Sequence, residues 1–162
     1  MAWLDLQMRA SALVGGILSV IHPELYVAGV NCLKVLNKDP GLVHKGQALA
    51  AVLKVWSSPF TAITVISNRD TPYHRDNGSA HSWFDILVGL GDYKIGRIEF
   101  PGLGMRLKYD PGTILAFTGR VLQHGANCPG DRACVVYHMK SNVVRELGVT
   151  SPSWVNERQF SS

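Results

Sequence analysis

Residues 113–139 read TILAFTGRVLQHGANCPGDRACVVYHM, and this stretch decides the fold class. Three short runs of apolar and β-branched residues alternate with turn sequences here: Thr113–Phe117, Val121–Gly125 and Arg132–Met139. A Thr-Gly pair follows the first run, and a Pro-Gly-Asp turn follows the second. Glycine and proline at such short intervals are typical of turns that join strands directly. The stretch therefore predicts strands that follow one another closely along the chain.

The same pattern extends upstream of this stretch. Four more strand candidates are separated by turn residues: Phe60–Ile66, Trp83–Val88, Ile95–Phe100 and Met105–Tyr109. About seven short strands with frequent turns indicate a sandwich, jelly roll or barrel, whereas a βαβ fold would need a helix between strands. Before Trp56 the spacing changes, because apolar residues recur there at helical intervals. The chain thus predicts an α+β protein with helices first and strands second.

Length and composition set the outer limits of the interpretation. The 162 residues suit a single domain, which we divide into helical support at 1–56, a β core with a closing helix at 57–149 and a loose tail at 150–162. A content of 46% hydrophobic residues excludes a disordered chain. No uncharged apolar run is long enough to cross a membrane, so we expect no membrane partner. The three cysteines are not in C-x-x-C spacing and predict free thiols.

Three residues of the β-rich half have the character of metal ligands. His74 and Asp76 flank one residue, and His124 lies about fifty positions later on a predicted strand. Alternate residues of an extended segment point the same way, so His74 and Asp76 can reach one ion. Two histidines and one carboxylate are the ligand set of non-haem Fe(II) oxygenases, and they leave positions open for a co-substrate and O₂. Zn²⁺ accepts the same set and stays open as an alternative.

Arg132 completes the pattern and favours iron. It begins the strand that follows the Pro-Gly-Asp turn, and a hairpin would place it beside the strand of His124, aimed inward. Arginine clamps a carboxylate through a bidentate, charge-assisted pair. An anionic 2-oxo acid that chelates iron and has a far carboxylate for Arg132 is 2-oxoglutarate.

Each of these residues has a simpler interpretation when it is taken alone. His74 and Asp76 also fit a turn pair with a structural hydrogen bond, His124 fits a core histidine, and Arg132 fits an ordinary strand residue. Their order along the chain is what favours an iron and 2-oxoglutarate centre.

The pattern resembles the Fe(II)- and 2-oxoglutarate-dependent dioxygenases of the TET/JBP branch, in particular the basidiomycete-type TET/JBP oxygenase domains. The likeness runs from about Trp56 to about Val149. It is carried by ordered motifs: Asn68–Pro72 with His74–Asp76, Trp83–Val88, Gly91–Tyr93, Leu103–Leu107, Tyr109–Thr113, Gly119–Gly125, Gly130–Arg132 and Met139–Val143. The resemblance implies a double-stranded β-helix (jelly roll, cupin-like) core backed by the N-terminal helices.

The resemblance also implies the activity and its cofactors. The reaction would oxidise the methyl group of a base in methylated duplex DNA, most often 5-methylcytosine to 5-hydroxymethylcytosine and beyond. Fe(II) would be held by the catalytic residues His74, Asp76 and His124, and 2-oxoglutarate by Arg132, with O₂ as the second co-substrate. Asn68 is a further candidate for contact with 2-oxoglutarate.

The substrate residues are expected near the metal. His138 is the candidate for stacking on a base flipped out of the duplex. It lies six positions after Arg132 on one predicted strand, so both side chains are expected on the same face of that strand. Asn77 and Asp85 are candidates for reading base edges. A net charge of +4 permits an anionic partner such as DNA. A DNA substrate implies a nuclear location, and the sequence predicts no protein partner.

Three alternatives stay open at this point. The same chemistry suits N6-methyladenine, thymine or RNA, and it also suits a substrate other than nucleic acid. A catalytically silent β-helix binding module is the third, although the intact set of His74, Asp76, His124 and Arg132 speaks against it.

Overall fold

A computed structural model describes residues 2–42 and 46–157 of the chain. The chain divides into two compact units. Unit 1 comprises Met1–Thr61 and Met139–Ser162, and unit 2 comprises Ala62–His138. The boundary falls close to the predicted change of character at Trp56. The predicted closing helix belongs to unit 1, and the last residues of the predicted tail, 158–162, lie outside the described residues.

Unit 1 is helical. Its described α-helices are α1 Ala2–Leu6, α2 Met8–Ile21, α3 Pro23–Lys38, α4 Gly46–Leu53 and α5 Ser141–Glu146, with a short 3₁₀ turn at Pro40–Leu42. The buried imidazole of His22 accepts a hydrogen bond from the Leu25 N–H and so caps the start of α3, where Pro23 takes the first helical position. No described helix is both long and apolar enough to cross a membrane.

Unit 2 consists of two four-stranded antiparallel sheets. The first has the order β1-β8-β3-β6 and the second has the order β2-β7-β4-β5. The strand bounds are β1 Ala62–Ser67, β2 Thr71–His74, β3 Asp85–Asp92, β4 Arg97–Phe100, β5 Met105–Lys108, β6 Ile114–Phe117, β7 His124–Asn127 and β8 Asp131–His138. Two such sheets form the predicted double-stranded β-helix, and the expectation of an α+β protein is confirmed.

The core of unit 2 is built by residues from both sheets. Leu87, Phe117 and Cys134 come from the first sheet, while Ile98 and Phe100 come from the second. The rings of Phe100 and Phe117 meet edge to face with centroids 5.0 Å apart. Successive side chains of a strand point to opposite faces, so the apolar residues of each strand can face the space between the two sheets.

Two details of the local prediction are wrong. Strand β2 was not predicted, because Thr71–His74 contains a proline and lacks a clear apolar alternation. β7 and β8 do not form a hairpin, since they belong to different sheets and the chain crosses between the sheets after Asn127. Helix α5 begins at Ser141, and Lys140 occupies its N-cap position without a side-chain hydrogen bond.

Candidate metal centre and co-substrate site

The pairing of β2 with β7 brings two predicted ligands together. His74 and His124 are register partners across this antiparallel pair, and their ring centroids lie 4.3 Å apart. Asp76 follows just beyond the end of β2. Its Oδ1 lies 3.4 Å from His74 Nε2, and its Oδ2 lies 3.7 Å from His124 Nε2. One ligand atom from each residue can be chosen so that all three lie within 4.8 Å of one another.

Both imidazole rings are oriented by the backbone. His74 Nδ1 lies 2.9 Å from the Pro72 carbonyl oxygen, and His124 Nδ1 lies 2.9 Å from the Leu122 carbonyl oxygen. A carbonyl oxygen only accepts, so in the neutral ring Nδ1 carries the proton and Nε2 has the free lone pair. The Nε2 atoms are those that approach Asp76. This arrangement fits a divalent metal ion, because metal-bound histidines usually donate their other N–H to such an acceptor.

The position of Asp76 depends on a glycine and an arginine. The Asp76 N–H donates to the Gly119 carbonyl oxygen at 3.0 Å, and Arg120 Nη1 lies 3.4 Å from the Asp76 carbonyl oxygen. A Cβ at Gly119 would overlap Asp76 Oδ2 and would lie 2.8 Å from Asp85 Oδ2. Only glycine therefore leaves room for both carboxylates at this point.

The three predicted ligands differ in burial, so the site has a closed side and an open side. The side chain of His124 is 6% exposed, whereas those of His74 and Asp76 are 38% and 36% exposed. Phe117 packs edge to face against the His124 ring with centroids 4.7 Å apart. Burial lowers the pKa of His124, while the Leu122 carbonyl and Asp76 oppose the shift. The site is thus closed at His124 and open toward solvent at His74 and Asp76.

Arg132 is buried in the core of unit 2, although the hairpin that was expected to place it there does not exist. It lies near the start of β8 at 4% exposure. Its Nη1 donates to the Arg69 carbonyl oxygen at 3.2 Å, and its guanidinium carbon lies 5.5 Å from the centre of the Tyr109 ring. Its Nε has no hydrogen-bond partner. A buried arginine with a free donor is suited to an anionic ligand.

Asn68 forms two hydrogen bonds with the backbone of Arg132. Asn68 Oδ1 accepts from the Arg132 N–H at 2.7 Å, and the Asn68 N–H donates to the Arg132 carbonyl oxygen at 2.8 Å. Asn68 Nδ2 also lies 3.4 Å from Asp131 Oδ1. Direct contact of Asn68 with 2-oxoglutarate stays a prediction, and the structure adds a contact with Arg132 that the sequence did not reveal.

The three predicted substrate residues lie at the same end of unit 2 as Asp76. Exposed Asn77 follows Asp76 directly, and its Oδ1 accepts from Arg120 Nη1 at 2.6 Å. Asp85 is buried and accepts from Ser79 Oγ at 2.7 Å. The β3–β8 register ends at Ile86 and Tyr137, so the next residues on these strands are Asp85 and His138.

His138 shares a face of β8 with Arg132, as predicted from its parity, and its Nε2 lies 3.1 Å from Thr64 Oγ1. The substrate roles of these residues stay predictions.

Several residues with a part in the site were missed from the sequence. Arg120 fixes the loop after β2, and Arg75 Nε donates to the Val121 carbonyl oxygen at 2.9 Å, so two arginines join the loops around the three predicted metal ligands. Tyr93 and Tyr109 lie buried in the same core as Arg132. Their only sequence signal was their place within the quoted motifs, which assigns no contact.

Comparison of the sequence with known protein families identifies the family of this chain. The sequence over residues 3–141 matches the Tet_JBP family model, described as the oxygenase domain of the 2OGFeDO superfamily. The protein is thus an oxygenase of the class that uses Fe(II) and 2-oxoglutarate. Because the match spans most of the chain, the protein belongs to the Tet_JBP family. The predicted family, enzyme class and cofactors are confirmed.

Among solved structures, the chain is similar to NgTET1 in complex with 5mC DNA, with 18% sequence identity and a TM-score of 0.48. The similarity covers 66% of this chain and 43% of the NgTET1 chain, so the chain matches less than half the length of that protein. No curated protein sequence matches.

Proposed function

We propose that this chain oxidises the methyl group of a modified base in DNA, with 5-methylcytosine as its preferred base and 5-hydroxymethylcytosine as the first product. The observation that carries the proposal is the orientation of His74 and His124, whose Nε2 atoms converge on Asp76 while their Nδ1 atoms are held by carbonyl oxygens. In this assignment His74, Asp76 and His124 hold Fe(II), and Arg132 holds the far carboxylate of 2-oxoglutarate.

In this proposal the metal supplies the oxidation, and the chain positions the metal ligands. Fe(II), when bound with 2-oxoglutarate and O₂, supplies the oxidising chemistry. The chain orients its ligands and keeps water away from one side of them. The Pro72 and Leu122 carbonyls set the two rings, Gly119 leaves space for the Asp76 carboxylate, and Phe117 covers the buried side of His124.

The open side of the site supports a large substrate. A base in a duplex must be flipped out of the stack before an enzyme can oxidise its methyl group. The exposure of His74 and Asp76 leaves one side of the triad accessible, and exposed Arg75 and Asn77 lie beside it. The net charge of +4 favours an anionic partner. Family membership supports a nucleic-acid base as the target.

His138, Asp85 and Asn77 are the residues that we assign to the base. His138 supplies an aromatic face for stacking, and Asp85 and Asn77 supply polar atoms for the base edge. All three lie at the end of unit 2 that carries Asp76. A DNA substrate further implies a nuclear location, which imaging of a fluorescently tagged full chain tests directly.

The decisive experiment follows both halves of the reaction. Succinate release from 2-oxoglutarate is measured with Fe(II) and O₂ in the presence of duplexes that carry 5-methylcytosine, N6-methyladenine or thymine, and of a methylated RNA. The nucleosides are then analysed by mass spectrometry. We expect 5-hydroxymethylcytosine in the first arm and no product with Asp76→Ala. Product in another arm alone would reassign the base, and no product with any nucleic acid would refute a nucleic-acid substrate.

A further inference from the structure

Two arginines lie beside the open side of the candidate metal site. Arg75 stands between the proposed ligands His74 and Asp76 in sequence, and Arg120 lies in the turn that precedes His124. Arg75 is exposed and Arg120 is half-buried, so both side chains are accessible to solvent. The function proposed above for the metal ligands assigns no role to either guanidinium group.

Hydrogen bonds to the chain hold both guanidinium groups in place. Arg75 Nε donates to the Val121 carbonyl oxygen at 2.9 Å. Arg120 Nη1 donates to Asn77 Oδ1 at 2.6 Å and lies 3.4 Å from the Asp76 carbonyl oxygen. A side chain that is already ordered loses less conformational entropy when it binds a ligand, so these contacts prepare the two arginines for binding.

Each guanidinium keeps one complete edge of donors available. Arginine carries five N–H donors in a planar fork, and a pair of donors on one edge matches two oxygens of a phosphate. Within the part of the chain that the structure describes, neither Nη atom of Arg75 makes a hydrogen bond, and neither Nε nor Nη2 of Arg120 makes one. Both arginines can therefore bind an anion in the bidentate manner without giving up their contacts to the loops.

The charges of the two arginines are not neutralised by the protein. Among the described residues, no carboxylate forms an ion pair with Arg75 or with Arg120. Exposed Arg106, by contrast, is paired with Glu99 at 2.6 Å. Two unpaired arginines beside one site raise the local positive potential, which attracts an anionic substrate such as the DNA backbone.

We propose that Arg75 and Arg120 bind phosphate groups of the DNA strand that carries the target base, each through its available edge of donors. This inference rests on the proposed DNA substrate. A nucleotide that is flipped out of the duplex brings its own phosphates to the rim of the site, where the two arginines hold the strand. Phosphate contacts carry no sequence information, so the arginines contribute affinity and register and leave the choice of base to other residues.

Binding measurements test the inference without turnover. Fluorescence anisotropy under anaerobic conditions, with Mn²⁺ and 2-oxoglutarate, compares a duplex that carries 5-methylcytosine with its unmethylated counterpart. Arg75→Gln and Arg120→Gln should each weaken binding of both duplexes by about tenfold, as for a lost hydrogen bond to a charged group. The slope of log affinity against log salt should become shallower by about one. A variant that changes the preference between the two duplexes would overturn the phosphate assignment, because the arginine would then read the base.

Two further variants separate the local contact from charge alone. Arg145→Gln, at an exposed position of α5, removes the same charge and should leave both the affinity and the salt slope unchanged. Arg75→Lys keeps the charge and loses the fork, so it should keep the salt slope and still bind more weakly than the original chain. An equal loss of affinity in Arg145→Gln would show that only net charge matters and would overturn the inference.

Duplexes with a single uncharged methylphosphonate linkage locate the contacts on the DNA. With the original chain, such a linkage beside the 5-methylcytosine should weaken binding by about tenfold. With Arg75→Gln or Arg120→Gln, the linkage that has lost its partner should no longer matter. The inference is overturned if no linkage beside the target base affects the original chain, a result that does not depend on how well the variants fold. It is also overturned if every linkage keeps its full effect in both variants. If the original chain binds no duplex at all, the failure lies instead with the proposed function.

Discussion

Asn68 and Arg132 are joined by two hydrogen bonds between the end of β1 and the start of β8. The Arg132 N–H donates to Asn68 Oδ1 at 2.7 Å, and the Asn68 N–H donates to the Arg132 carbonyl oxygen at 2.8 Å. Asn68 has φ of 47°, in the left-handed region that asparagine tolerates better than most residues. The backbone of the buried arginine is therefore held by a residue on the protein surface.

This pair predicts that Asn68 positions Arg132. Asn68→Gly keeps the left-handed backbone and removes the side-chain acceptor, so it should lower the free energy of unfolding by about 1 kcal/mol and weaken 2-oxoglutarate binding severalfold. Asn68→Ala adds about 1 kcal/mol or more of backbone strain. Chemical denaturation and calorimetry measure the two effects. Unchanged 2-oxoglutarate affinity in both variants would show that the contact serves folding alone.

Removal of a proposed metal ligand should abolish metal binding while the fold survives. Asp76→Ala and His124→Ala each delete one of three converging donors, so the loss of Mn²⁺ affinity should exceed the roughly 10–100-fold cost of an outer-shell change. Mn²⁺ titration followed by electron paramagnetic resonance measures the affinity. His81→Ala, at an exposed position, is the control and should bind as before. Normal Mn²⁺ binding by His124→Ala would contradict the assignment.

Gly119→Ala should damage the metal site through sterics alone. The new methyl group would overlap Asp76 Oδ2 and crowd Asp85 Oδ2, so one carboxylate must move. We expect Mn²⁺ affinity to fall by about tenfold or more and stability to fall by about 1–3 kcal/mol, as for an overpacked interior. Gly102→Ala adds a methyl group with no heavy atom within 4 Å and should change neither quantity. If both variants bind Mn²⁺ equally, the close approach at Gly119 has no functional consequence.

Arg132→Lys tests whether the guanidinium fork matters beyond its charge. Lysine keeps a cation but loses the planar pair of donors that matches a carboxylate. We expect the concentration of 2-oxoglutarate needed for half-maximal turnover to rise by at least tenfold, with a smaller change in the maximal rate. Mn²⁺ affinity without 2-oxoglutarate should be unchanged, because Arg132 is not a proposed metal ligand. A variant with the original 2-oxoglutarate requirement would rule out the fork as the clamp.

The cysteines should be inert in the folded protein. Cys32, Cys128 and Cys134 are all buried, and burial raises the pKa of Cys32 to about 11. The thiolate is the reactive form, so a raised pKa reduces its fraction at pH 8. A colorimetric thiol reagent at pH 8 should therefore react slowly with the native protein and rapidly with three thiols in denaturant. Fast reaction of Cys32 before unfolding would show that α3 opens readily.

The order of elements was predictable because it depends on local spacing. Turn residues between short apolar runs predicted seven of the eight strands, with ends that differ from the observed ones by a few residues. Strand β2 was missed because its four residues include a proline and carry little apolar signal. The pairing of strands was harder to predict, since β7 and β8 are neighbours in sequence but lie in different sheets. Nothing in the turn at 128–130 distinguishes a hairpin from a crossover between sheets.

The site shows the same division. The histidines and the carboxylate were recognisable from residue type and order, and the structure brings all three within reach of one ion. Their orientation was not accessible, because it depends on the carbonyl oxygens of Pro72 and Leu122 and on the space left at Gly119.

The sequence by itself determined the chemistry available to this protein: an α+β chain with a His-x-Asp motif, a distant histidine and an arginine in the order of an Fe(II) and 2-oxoglutarate oxygenase. Residue type and spacing along one strand are local properties, so they can be read from the chain directly. Only the tertiary structure decided that His74 faces His124, that Asn68 holds Arg132 and that Arg75 is bound to the carbonyl oxygen of Val121. Those relationships join residues far apart in sequence, and they arise from strand register and core packing.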